Sequence, residues 1–166
     1  MRESLFRGKR LDNEEWVSSG NLITFNDEGE EKQFFIPQMN AKCTCTHDEQ
    51  DNIISFNSGM FCKVNPDTVG QFTGLTDKNG TKIFEGDIVK FTDSPFGISY
   101  TGEVVFHGGA FCIKYKSWAS NSSYHRIGQT DKWQDMGASG EVTYSYEKLG
   151  NVHDNPELLG GAEDGN

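Results

Sequence analysis

Between Val69 and Phe91 the chain places two turn signals so close together that no helix of useful length fits between them. The first is Thr76-Asp77-Lys78-Asn79-Gly80-Thr81, where Asn79-Gly80 can take the positive φ that a tight hairpin turn demands. Only Lys82-Ile83-Phe84 separates it from the second, Glu85-Gly86-Asp87. Ile88-Val89-Lys90-Phe91 follows, β-branched and aromatic residues that suit a half-buried pleated surface. The segment predicts short strands joined by tight turns.

The rest of the chain repeats this style. Strands are expected at Trp16-Val17, Leu22–Phe25, Gln33–Ile36, Asn52–Phe56 and Met60–Val64. Met39–Gln50 reads as loop or edge, since it has no helical period and little apolar content. Asn65-Pro66-Asp67-Thr68 is a turn, because proline pre-sets φ and lacks a donor. Glu103–His107 and Ala110–Tyr115 flank Gly108-Gly109, a permissive two-residue turn, with Phe111, Ile113 and Tyr115 on one face. Glu141–Tyr146 returns as a strand, and Asn155–Leu159 makes a short last turn. Aromatics are 12% of the chain, with Phe 12 and Gly 19, against 34% hydrophobic residues overall. Large rings must fill the core between many turns, which favours an all-β fold over a helical one. The expected organisation is an N-terminal β-hairpin region over residues 1–65, packed on a small SH3-like barrel over 66–159. That barrel carries a long polar loop at 116–140, and a disordered acidic tail follows at 160–166.

Several strings of the chain resemble those of the YopX family of bacteriophage and prophage proteins. They are Val69-Gly70-Gln71-Phe72-Thr73-Gly74-Leu75, Asp77-Lys78-Asn79-Gly80 and Lys82-Ile83-Phe84-Glu85-Gly86-Asp87-Ile88-Val89. Phe6-Arg7-Gly8-Lys9-Arg10 with Trp16-Val17 precedes them. Gly102-Glu103-Val104-Val105-Phe106 with Gly109-Ala110-Phe111, and then Leu149–Leu159, follow. The likeness breaks at Met39–Met60 and after Tyr115. It implies a small, mainly β phage product and carries no catalytic residue with it. Related sequences place Asn-Gly where this chain has Asn13-Glu14, so the first hairpin lacks its usual turn residue.

Formal net charge is −10, from 25 acidic and 15 basic residues. That balance argues against binding duplex DNA by phosphate neutralisation and leaves room for a local basic patch. No apolar run reaches membrane-spanning length, and Met1–Arg7 has no apolar signal core, so a cytoplasmic protein with reduced thiols is expected. Cys43-Thr44-Cys45-Thr46-His47 with Cys62 offers thiols at C-x-C spacing without the second pair that structural zinc needs, so no metal or other cofactor is expected. His47, His107, His125 and His153 are scattered and read as polar surface residues. No P-loop, dinucleotide fingerprint, zincin helix or nucleophile elbow occurs, which argues against an enzyme.

Two regions could bind. Trp118, Tyr124, His125, Arg126 and Trp133 combine rings with cations, a pairing that stacks bases or anchors a protein. Arg7, Lys9 and Arg10 form the densest basic spot. The expected role is an interaction module for a host or phage protein. A nucleic-acid-binding barrel is the alternative reading, and an acidic DNA mimic the third. Open β edges would permit homo-oligomers.

Overall fold

A computed structural model describes residues 3–25, 32–38, 44–47, 53–57, 61–94, 96–117, 119–135 and 138–159. The expected tail at 160–166 lies outside them. The fold is all-β, built from antiparallel sheets, with short 3-10 turns as its only helical pieces among the described residues. None of those pieces is long and apolar enough to cross a membrane.

The chain divides into two compact units, Met1–Gln71 and Phe72–Asn166. In the first unit, β1 (Phe6–Lys9) and β2 (Trp16–Ser19) form a hairpin, with Phe6 opposite Ser19 and Lys9 opposite Trp16. Glu14 takes φ +60° in its turn, a conformation costly for a residue with a Cβ and natural for glycine. β3 (Ile23–Phe25) pairs antiparallel with β4 (Gln33–Pro37), both at positions where strands are expected. β5 (Thr44–His47) pairs with β6 (Ile53–Asn57), so the region read as loop or edge contains a strand. β7 (Phe61–Val64) pairs with β4 and leaves its sequence neighbour β6 to β5. Ile36, Cys62 and Val64 are buried. Pro66–Thr68 is a 3-10 turn capped by Asn65, whose side chain accepts from Asp67 N. The division between the units falls beyond this turn, inside β8 (Gly70–Thr76), because Gly70 and Gln71 still pair with Arg7 and Phe6.

In the second unit the remainder of β8 pairs with β9 (Lys82–Phe84). Gly80 and Gly86 take the positive φ expected of the two turns. A six-stranded curled sheet then runs from β10 (Asp87–Ser94) through β11 (Ser99–His107), β12 (Ala110–Ser117), β13 (Ser120–Arg126) and β14 (Asp131–Asp135) to β15 (Ala138–Asn151). Its spatial order is β13-β12-β11-β10-β15-β14, which makes β13 and β14 the two edges. The long polar loop expected at 116–140 is replaced by these two edge strands and the start of β15. An edge strand needs one neighbour's backbone and little apolar content. Pro156–Leu159 is the expected last turn, a 3-10 piece.

Register decides which side chains share a face. Phe91 lies opposite Tyr100 and Tyr146, Val104 opposite Ile113, and Ile113 opposite His125. Alternation therefore gathers Val89, Phe91, Val104, Ile113 and Tyr146 on one inner face, where with Ile83 they form the core.

Candidate functional site

The inner face carries a polar cluster inside the aromatic core. His125 is 5% exposed, and its ring lies flat on Phe91 at 4.6 Å and 8°. Its Nε2 is 3.1 Å from the Tyr146 hydroxyl, which also accepts from Gly128 N at 3.0 Å. Its Nδ1 is 3.5 Å from the Gln129 amide nitrogen, and that nitrogen donates to Asp131 at 3.1 Å. The Tyr144 hydroxyl donates to the same Asp131 oxygen at 2.6 Å. Burial, followed by this hydrogen bond, pushes the Tyr144 hydroxyl's pKa up. His125 is thus an interior residue, against the expectation of a surface one. The signal for it was the alternation of Ser123 and His125 along β13, continued by Ile127 just beyond it.

The cluster is built for a neutral imidazole. Burial lowers the His125 pKa, and the Asp131 charge offsets only part of that. The amide nitrogen facing Nδ1 is a donor, so a proton on Nδ1 would set donor against donor. A depressed histidine pKa means the unfolded chain takes up the proton first as pH falls. Stability is then full above the ordinary histidine range near pH 6.5 and declines below it, by up to about 1.4 kcal/mol per pH unit. Thermal melts between pH 7.5 and pH 5 should show this fall. His125→Gln should be less stable at neutral pH and have a flatter profile.

The outer face differs. Lys114 lies opposite Tyr124, and Cys112 opposite Arg126, so Tyr124 and Arg126 point away from the core side that holds His125. Tyr124 is 43% exposed and stacks flat on His107 at 4.0 Å and 10°. A cleft of about 620 Å³ adjoins this face, lined among others by Ile98, Lys114, Lys116, Asn121 and Leu159. At its border the β10–β11 hairpin turns on Asp93, which accepts from Gly97 N through its carbonyl at 3.1 Å and from Ile98 N through Oδ1 at 2.8 Å. The tip holds Phe96 and Ile98 out, 55% and 50% exposed.

Trp133 lies on β14 opposite Gly140, and Trp118 is outside the described residues. Arg7 is buried, with its guanidinium 4.6 Å from the Trp16 ring centre, and the Lys9 ammonium lies 5.8 Å from the same ring. Arg10 is clasped by Asp12, with Nε donating to Oδ1 at 2.8 Å. Cys45 lies on β5 and Cys43 outside the described residues, while Cys62 and Cys112 are buried free thiols. Among the described residues no cluster of three metal-ligating side chains occurs.

A family model described as YopX protein matches residues 5–160. A search of curated proteins returns no match.

Proposed function

The chain belongs to the YopX family, and from that premise we propose that it is a phage-type accessory protein that acts by binding another protein. The observation that carries this reading is the hydrogen-bonded β10–β11 tip, where Phe96 and Ile98 are 55% and 50% exposed beside a cleft of about 620 Å³. Two large apolar side chains that keep about half of their surface in solvent on a hydrogen-bonded turn offer area that a partner's surface can bury. On this reading the curled sheet is an SH3-like scaffold, a frame that hosts many roles, so the case rests on these side chains. The protein works as a binder and not a catalyst, in the host cytoplasm.

The test is recovery of partners on the tagged full chain from infected or lysogenic host cells after nuclease treatment. The double variant Phe96→Ser/Ile98→Ser should lose a partner that the parent retains. Its melting behaviour should stay within about 0.5 kcal/mol of the parent, because both positions are at the surface. An unchanged set of recovered proteins would overturn the reading. Deleting Ala119–Asp131 is a poorer test, since it removes β13 and uncovers β12.

A further inference from the structure

We propose that the outer face of the β12–β13 hairpin binds single-stranded nucleic acid. Lys114, Lys116 and Arg126 supply cations to the phosphates, and Tyr124 supplies a ring for a base.

The argument begins with where the charges are. The chain has 25 acidic residues, yet no Asp or Glu occurs between Glu103 and Asp131. That interval is the β12–β13 hairpin with its flanks. Elsewhere in the protein three cations are matched: Lys78 pairs with Glu147 at 2.8 Å, Lys148 with Asp87 at 3.0 Å, and Arg10 with Asp12. Among the described residues none of Lys114, Lys116 and Arg126 is in an ion pair. Glu103 stands directly across from Lys114 in register and makes none with it. In a chain of net charge −10, three unmatched cations on one face mark a place suited to an external anion.

Geometry narrows the anion. Lys114 and Lys116 are alternate residues on one strand, about 7 Å apart along it. Arg126 lies across from Cys112, a further such step along the hairpin. This is a linear track of single charges at a spacing that an extended sugar–phosphate backbone can follow. Tyr124 sits within the track, opposite Lys114, with one side of its ring packed on His107. A ring fixed in this way stacks a base without ordering a loose side chain, and stacking accepts any base. An acidic peptide would use the cations and leave the ring unexplained. Duplex DNA would need a wider positive footprint than three charges.

The test is fluorescence anisotropy of a labelled oligothymidylate or oligouridylate of about 12 nucleotides with the full chain. Binding is expected at about 50 mM salt, falling with salt at a log–log slope of about −2 for three phosphate contacts. Tyr124→Ala should weaken binding roughly 5- to 100-fold and keep that slope. Lys114→Gln and Arg126→Gln should each make the slope shallower by about 0.7. Absence of binding by the parent protein at low salt overturns the proposal. So does binding that ignores all three variants, or equal competition by polyglutamate. Phe96→Ser/Ile98→Ser should leave the oligonucleotide curve unchanged, so this inference and the protein-partner reading fail separately.

Discussion

Gly102→Ala is expected to remove a large share of the protein's stability. Gly102 lies in the middle of β11, between Val89 on β10 and Tyr115 on β12, and it is buried. A Cβ there would run into the carbonyl oxygen of Lys114, and would meet Ile113 Cγ2 and Tyr115 Cβ at 2.8 Å. The first obstacle is backbone of the neighbouring strand, which cannot step aside without opening the ladder. The cost should be about 3 kcal/mol or more, the upper range for overpacking, against a total stability of about 5–15 kcal/mol. Gly108→Ala is the matched control. It has φ +58° and nothing within 4 Å of an added Cβ, so it should cost only about 1–2 kcal/mol in backbone strain. Urea denaturation of both variants separates the two mechanisms. Equal stabilities would mean that β11 and β12 do not approach as closely as Gly102 allows.

The turn chemistry was the legible part of the fold. Asn79-Gly80, Glu85-Gly86-Asp87 and Gly108-Gly109 each announce a tight reversal, and Gly80, Gly86, Gly108 and Gly109 all take positive φ. The alternation of Phe111, Ile113 and Tyr115 announced a buried face, and Ile113 is fully buried. Residues 116–140 were illegible for a physical reason. Ser120-Asn121-Ser122-Ser123 has no strand propensity to read, and it becomes strand because β12 offers it a hydrogen-bonding edge. Pairing of this kind depends on a neighbour supplied by tertiary structure. The His125 misreading has the same root, since its burial follows from which face of β13 meets Phe91. At the candidate site the sequence flagged Tyr124 and Arg126 and missed Lys114 and Lys116. Net charge is a sum, and a sum hides how cations segregate between faces.

Breaking the Asp87–Lys148 pair should be the second large effect, and it concerns the strings that carry the family resemblance. Asp87 is fully buried. Its Oδ2 accepts from Phe84 N at 2.8 Å, and the Lys148 ammonium lies 3.0 Å from its Oδ1. Lys148 also donates its backbone N–H to Asp77 Oδ2 at 3.3 Å, and Asp77 Oδ1 accepts from Asn79 N and Thr81 N, both at 2.8 Å. The two aspartates thus tie both turns of the Val69–Phe91 region to β15. Lys148→Met keeps the aliphatic stem and removes the charge, which leaves a buried carboxylate without its cation. The expected loss is about 3 kcal/mol, the lower end for a broken buried pair, because the lysine retains some solvent contact. For a chain of this length that is a drop of roughly 6–12 °C in melting temperature. Asp87→Asn/Lys148→Met should recover part of the loss, with the double variant at least about 1 kcal/mol better than the sum of the singles. Additive losses would mean that water or another group already neutralises Asp87, and that the pair is incidental. Coupled losses would assign the Asp-Lys-Asn-Gly and Glu-Gly-Asp strings to holding β15 in place. Binding would then have to come from positions outside those strings, which is where Phe96, Ile98, Lys114, Tyr124 and Arg126 stand.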